Sequence, residues 1–108
     1  MSDTLSNLYK TVQARKENPA EGSYTSYLFE KGTDKILKKC GEECAEVIIA
    51  AKNGDSDELV NEVSDLLYHL TVLLAHMNVD EAAVSAELNK RSQKIGNLKQ
   101  MRDTDTQT

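Results

Sequence analysis

Five acidic side chains in the middle of the chain have the spacing of a metal-binding cluster. Glu42, Glu43 and Glu46 lie in the run E-E-C-A-E, and Glu62 and Asp65 lie in the run E-V-S-D. Side chains three residues apart share one face of a helix, so each run places a pair of acids on one face. Two such pairs facing each other would repel unless a cation lay between them, and oxygen-only clusters suit Mg²⁺ or Mn²⁺. The acids therefore predict a divalent metal site that acts on phosphate groups.

Two long helices must position these acids. Apolar residues with a helical period predict the first helix from Thr33 or Asp34, either of which would serve as N-cap, to residue 52. Asn53-Gly54 is a stop signal with glycine at the left-handed position, and Asp55 with Glu58 three residues later opens the second helix. The two helices form a central antiparallel hairpin in this prediction.

The remaining segments complete an all-α helical bundle. An amphipathic helix is predicted at the N-terminus and must end before Pro19. The segment Glu21 to Gly32 shows no helical period and is predicted to be an ordered loop with at most one short turn. A third long helix is predicted from Glu81 to Lys94, with Asp80 as its N-cap, and no segment has the pattern of a strand.

Composition limits the possible functions. The 108 residues predict one domain over residues 1–99 and a polar, frayed tail over 100–108. A net charge of -5 argues against nucleic-acid binding, and no apolar run approaches the ~20 residues that cross a bilayer. Cys40 and Cys44, four residues apart, would form a strained disulfide and a poor zinc site. We expect them to be small apolar core residues of a reduced, cytoplasmic protein.

The helical wheel tests whether the acids can converge. At about 100° per residue, both helices place their acids at the edge of the apolar stripe, on the flank of the same hand. Glu43 lies closest to the buried side, where an unpaired charge is costly, and Glu62 lies close to the edge as well. A solvated acidic face remains the alternative, since the crossing angle of the helices is not given by the sequence.

The pattern disfavours iron as the metal. A ferritin-like di-iron site requires Glu-x-x-His in its helices. Here Leu66 stands three residues before His69, and Leu73 stands three residues before His76. An all-carboxylate set leaves coordination positions for water and substrate phosphates, as Mg²⁺ prefers.

Basic and polar residues near the acids are candidates for binding substrate phosphates: Lys35, Lys39, Lys52, Asn53 and His69. Lys39 precedes Glu43 by four residues, so a surface ion pair explains it equally well. His69 is also explained as a hydrogen-bonded polar residue at the edge of the helix.

The stretch from Gly22 to Leu74, about half of the chain, resembles the phosphoribosyl-ATP pyrophosphohydrolase family in four runs of sequence. They are S-Y-T-S-Y-L-F-E-K-G at 23–32, K-I-L-K-K-C-G-E-E-C-A-E-V at 35–47, I-I-A-A-K-N-G-D at 48–55 and D-L-L-Y-H-L at 65–70. The pattern E-E-x-x-E…E-x-x-D is shared by other all-α nucleoside triphosphate pyrophosphohydrolases, including dimeric dUTPases and house-cleaning enzymes. The first run and the K-K-x-G-E-E core are more specific to the family.

The resemblance implies Mg²⁺-dependent hydrolysis of 1-(5-phosphoribosyl)-ATP to 1-(5-phosphoribosyl)-AMP and pyrophosphate, the second step of histidine biosynthesis. It also implies a homodimer whose helices complete the bundle around the sites. Carried onto this sequence, the metal ligands are Glu43, Glu46, Glu62 and Asp65, and Glu42 is a further ligand or orients the attacking water. Two alternatives remain, a general nucleotide pyrophosphohydrolase and a non-catalytic helical dimerisation module.

Overall fold

The computed structural model describes residues 2–94, and these residues form helices without any strand. The helices are α1 (Ser2–Glu17), α2 (Tyr24–Lys31), α3 (Thr33–Lys52), α4 (Ser56–His76) and α5 (Glu81–Ser92). The all-α prediction is therefore confirmed. The predicted tail over 100–108 lies outside the described residues. Within the described range, no helix is long and apolar enough to cross a membrane.

The central hairpin consists of α3 and α4, which pack along each other over most of their length. Gly54 has a φ of 68°, so the predicted left-handed stop is present at the end of α3. The Asp55 carboxylate accepts a hydrogen bond from the Glu58 N–H at 3.1 Å, which confirms the predicted cap of α4. The predicted cap of α3 is wrong, because Gly32 occupies that position and no side chain caps the first turn.

The segment predicted to be a loop forms α2, so that prediction is wrong. Ser23 is the N-cap, and its hydroxyl accepts a hydrogen bond from the Ser26 N–H at 3.1 Å. Gly32, with a φ of 90°, ends the helix. An eight-residue helix is marginal on its own. It is stabilised here because Leu28 is fully buried among side chains of the neighbouring helices.

The core joins the first four helices. Val12, Leu28, Ile36 and Val72, one from each of α1 to α4, are the largest fully buried side chains. Lys16 of α1 also ties α1 to the end of α4, since its ammonium donates to the Ala75 carbonyl at 2.7 Å and to Asn78 Oδ1 at 2.6 Å. A cation at this end also complements the helix dipole.

The predicted role of the cysteines is only half right. Cys40 is buried in the core, as expected, but Cys44 is exposed, and both thiols are free. The difference arises because Cys44 lies on the same side of α3 as Leu37 and Ile48, which are exposed as well.

The apolar residues that recur with a helical period along α4 do not all lie on the face that the chain buries. The fully buried positions of α4 are His69, Thr71, Val72 and Ala75. The stripe itself carries four exposed apolar residues, namely Val60, Val63, Leu70 and Met77. A single chain therefore leaves several apolar side chains of α4 exposed.

Candidate active site

Three of the five acids converge in the hairpin. Glu43 of α3 meets Glu62 and Asp65 of α4, and one carboxylate oxygen from each lies within 4.8 Å of the other two. The Glu43 side chain is only 12% exposed, Glu62 is half-buried and Asp65 is exposed. The antiparallel packing of α3 and α4 thus brings together acids that stand some twenty residues apart in the chain.

Desolvation and the neighbouring acids raise the pKa of Glu62 in the cluster. Partial desolvation, a hydrogen bond with Glu58 and the negative charges of Glu46 and Glu43 raise the pKa of Glu62 from 4.5 to about 7. Near neutral pH the cluster therefore retains a proton for part of the time. A divalent cation would displace that proton and neutralise the remaining charge.

The other two acids lie at the edge of this cluster. Glu46 is exposed, outside the group of three, yet its charge contributes to the raised pKa of Glu62. Glu42 is 49% exposed, and its carboxylate lies 3.4 Å from the Lys39 ammonium. The same ammonium lies 4.0 Å from Glu43. Burial alone would lower the pKa of Lys39, but Glu42, Tyr24 and Glu43 raise it above its ordinary value.

His69 is buried one turn beyond Asp65 and has both ring nitrogens bonded. Nδ1 lies 2.7 Å from the Asp65 carbonyl oxygen and must donate, because that oxygen can only accept. Nε2 of the neutral ring then accepts from the Tyr24 hydroxyl at 3.0 Å. His69 therefore links α2 to the turn of α4 that carries Asp65, and neither nitrogen is left for substrate.

The remaining predicted substrate-binding residues differ in their placement. Lys35, in the first turn of α3, precedes Lys39 by four residues and shares its face of the helix. Lys52 follows Glu43 by nine residues, which places it on the opposite face. Asn53 is exposed and forms the C-cap of α3 through its backbone N–H. Lys52 and Asn53 are thus not brought to the acid cluster within one chain.

Two tyrosines lie beside the acids although neither is among the predicted site residues. Tyr24 lies at the junction of α2 and α4, 6.2 Å from the Tyr68 ring between centroids, and the Tyr68 hydroxyl is hydrogen-bonded to Thr25. Partial burial raises the pKa of the Tyr24 hydroxyl; nearby Lys39 lowers it and Glu43 raises it. The sequence did contain a signal for the helix that carries Tyr24. A capping serine is followed by side chains at helical spacing, namely Tyr24, Tyr27, Leu28 and Lys31.

The donor set fits a hard divalent cation. Three carboxylates from two rigid helices supply oxygen ligands and leave the remaining positions of an octahedral ion for water and phosphate oxygens. Softer metals fit less well, because the cluster contains no sulfur or imidazole ligand and His69 is engaged elsewhere.

Comparison with known proteins agrees with the geometry. The family model of phosphoribosyl-ATP pyrophosphohydrolase matches residues 5–92. The chain belongs to this family. It is 57% identical over 101 residues to the phosphoribosyl-ATP pyrophosphatase of Listeria welshimeri, covering 94% of this chain and 97% of that protein. It is also 54% identical to the Clostridium acetobutylicum enzyme of the same name over 94% of this chain and 92% of that protein.

A third relative extends the match almost to both ends of the chain. The phosphoribosyl-ATP pyrophosphatase of Bacillus thuringiensis is 51% identical over 106 residues, which cover 98% of this chain and 99% of that protein. The family resemblance seen in the four sequence runs is thereby confirmed. Membership of this family also favours a specific hydrolase over a dimerisation module without catalytic activity.

Proposed function

We propose that this protein hydrolyses 1-(5-phosphoribosyl)-ATP to 1-(5-phosphoribosyl)-AMP and pyrophosphate, and that the reaction depends on Mg²⁺, with Mn²⁺ as a possible substitute. Membership of the phosphoribosyl-ATP pyrophosphohydrolase family supports the substrate. The observation that carries the chemistry is the convergence of Glu43, Glu62 and Asp65 on one point between two helices. These ligands are suited to a metal-bound triphosphate.

In the proposed mechanism the acid cluster would hold a divalent cation, and the triphosphate would bind beside these carboxylates. Glu43, Glu62 and Asp65 supply the ligands, and exposed Glu46 joins them by a change of side-chain rotamer. When bound, the cation supplies charge neutralisation at the phosphoryl oxygens and the leaving pyrophosphate.

The remaining steps concern the attacking water. Glu42 is the residue of α3 that precedes Glu43. Its side chain is exposed, and its carboxylate lies 3.4 Å from the Lys39 ammonium. It is therefore placed either to orient the attacking water and accept its proton or to act as a further ligand. The water oxygen bonds to the α-phosphorus, the bond from that phosphorus to the bridging oxygen breaks, and pyrophosphate leaves with the electron pair.

The proposed active form is a homodimer. Val60 and Ile48, on neighbouring helices of the hairpin, are 68% and 63% exposed. Between α3 and the end of α4 lies a cavity of about 380 Å³ lined by Thr33, Leu37, Leu73, Leu74, Met77 and Val79. Exposed apolar side chains beside an apolar cavity are typical of a protein interaction site. A second copy of the chain supplies a matching apolar face, because a two-fold axis brings the same patch from each subunit together.

The proposed compartment is the cytoplasm. Cys40 and Cys44 are both free thiols, and their spacing of four residues on one helix would strain a disulfide between them. Free thiols are the usual state of cysteines in reducing compartments.

The direct test measures pyrophosphate released from phosphoribosyl-ATP by the purified chain, with Mg²⁺ and with a chelator. We expect release with Mg²⁺ only, and Glu43→Gln should reduce the rate by about a hundredfold or more while the far-ultraviolet spectrum stays helical. A panel of dUTP, dATP and ATP separates a general nucleotide pyrophosphohydrolase from the specific enzyme. Metal-independent release, or equal rates across the panel, would refute the proposal.

A further inference from the structure

Two lysines are held at one aromatic ring outside the acid cluster. The ammonium of Lys31, in the last turn of α2, lies 5.7 Å from the centre of the Tyr27 ring. The ammonium of Lys35, in the first turn of α3, lies 6.0 Å from the same centre. The turn at Gly32 between α2 and α3 brings both ammonium groups to this one ring, and we call Tyr27, Lys31 and Lys35 the lysine pocket.

Neither ammonium of the lysine pocket forms an ion pair with a described side chain. Across residues 3–94, no carboxylate oxygen lies within 4.0 Å of the Lys31 or Lys35 ammonium. Contact with an aromatic face at about 6 Å is a weak attraction and neutralises neither charge. In a chain of net charge -5, a paired cationic position without an acidic partner is a position for an anion.

The pocket lies on the same side of the hairpin as the acids, but at a distance from them. Lys35, Lys39 and Glu43 follow each other at intervals of four residues along α3. Lys35 and Glu43 are therefore separated by roughly 12 Å along the helix axis. Between the two ends lies Tyr24, whose ring is 44% exposed and stacks on Tyr27 at 6.0 Å between centroids.

The substrate of the proposed function has the matching arrangement of charge. Phosphoribosyl-ATP carries a triphosphate on one ribose and a monoester phosphate on the other, with the purine between them. When the triphosphate occupies the acid cluster through the metal, the second phosphate lies at the opposite end of the molecule. The partly exposed side chains of Tyr24 and Tyr27 border the region between the two ends.

We propose that Lys31 and Lys35 bind the monoester phosphate of the phosphoribosyl group and thereby distinguish phosphoribosyl-ATP from ATP. This inference rests on the proposed function for the identity of the substrate. The lysine pocket is then a specificity-determining site, and neither lysine takes part in the bond cleavage at the acid cluster.

The test measures direct binding of phosphoribosyl-AMP, AMP and ATP to the full chain by calorimetry, with wild type, Lys31→Ala and Lys35→Ala. Lys90→Ala is the matched control, because Lys90 is an exposed lysine of α5, a helix that does not pack on α2 or α3. Each pocket variant should weaken phosphoribosyl-AMP binding about tenfold and leave AMP and ATP within about twofold. Lys35→Arg should retain most of the affinity, since it keeps the charge.

Three results would overturn the proposal. Equal weakening of phosphoribosyl-AMP and AMP would place the lysines at the shared part of the ligand, and selective loss of ATP binding would assign them to the triphosphate. Affinities equal to those of Lys90→Ala would remove the lysines from the site altogether. Binding is measured without turnover, so a failure of hydrolysis would count against the proposed function and leave this result readable.

Discussion

Replacing Glu62 by glutamine should abolish the pH dependence of Mg²⁺ binding near neutral pH. The wild-type carboxyl has a pKa of about 7, because it is partly desolvated, bonded to Glu58 and surrounded by Glu46 and Glu43. A metal ligand must lose its proton before it coordinates, so this group competes with Mg²⁺ for protons in the physiological range. Glutamine keeps the shape of the side chain and cannot ionise.

The size of the effect follows from the pKa. A carboxyl with a pKa of about 7 is about one-tenth ionised at about pH 6 and about nine-tenths ionised at about pH 8. The apparent Mg²⁺ affinity of the wild type should therefore rise by about tenfold across this interval. The Glu62→Gln variant should bind Mg²⁺ more weakly at about pH 8 than the wild type and show a nearly flat profile.

The same pKa shift predicts how the stability of the metal-free protein depends on pH. The folded pKa of Glu62 lies above the ordinary value of 4.5, so the folded state holds its proton more tightly than the unfolded state. Stability from this group is present below pH 4.5 and is lost as the pH rises through about 7. Glu62→Gln should reduce that loss, because its side chain acquires no charge.

Calorimetric Mg²⁺ titrations and urea unfolding with chelator, each at several pH values, measure the two effects. Glu21→Gln makes the same change of charge at an exposed position in the α1–α2 connection and serves as the control. A wild-type affinity that does not change between about pH 6 and about pH 8, or a variant profile as steep as the wild type, would refute the reasoning.

Two further predictions concern the hydrogen bond between Tyr24 and His69 and the proposed dimer. Tyr24→Phe leaves Nε2 of His69, which is 5% exposed, without its donor, and should lower the free energy of unfolding in urea by about 1–2 kcal/mol. Tyr27→Phe is the control, and an equal effect of both would contradict the role of the Tyr24–His69 bond. Val60→Lys should shift the protein to monomer in size-exclusion chromatography with light scattering, because it places a charge in the exposed stripe of α4. Asn61→Lys, one residue outside that stripe, should stay dimeric; a dimeric Val60→Lys would disprove this interface.

The amino-acid sequence by itself determined the parts of the molecule that depend on local chemistry. The Gly54 stop and the Asp55 cap follow from residues within one turn of each other, so the hairpin was predictable. The acid-x-x-acid spacing likewise determined that Glu62 and Asp65 share a face of one helix. The four sequence runs were specific enough to indicate the family.

Tertiary structure decided what depends on how the helices pack. The segment containing α2 is too short to be a stable helix by itself, and it became helical because Leu28 is buried in the core. Packing of α1 and α3 on α4 also decided which face of α4 is buried, and it left the more apolar stripe exposed. Periodicity cannot distinguish an apolar stripe that faces the chain's own core from one that the chain leaves exposed.

The candidate site divides in the same way. Sequence predicted a cluster of acids, but the crossing of α3 and α4 decided that Glu43 meets Glu62 and Asp65 while Glu46 stays at the edge. It also decided that His69 bonds Tyr24 instead of facing the cluster. These outcomes depend on distances between residues far apart in the chain, which are set by side-chain packing between helices and not by the spacing within any one of them.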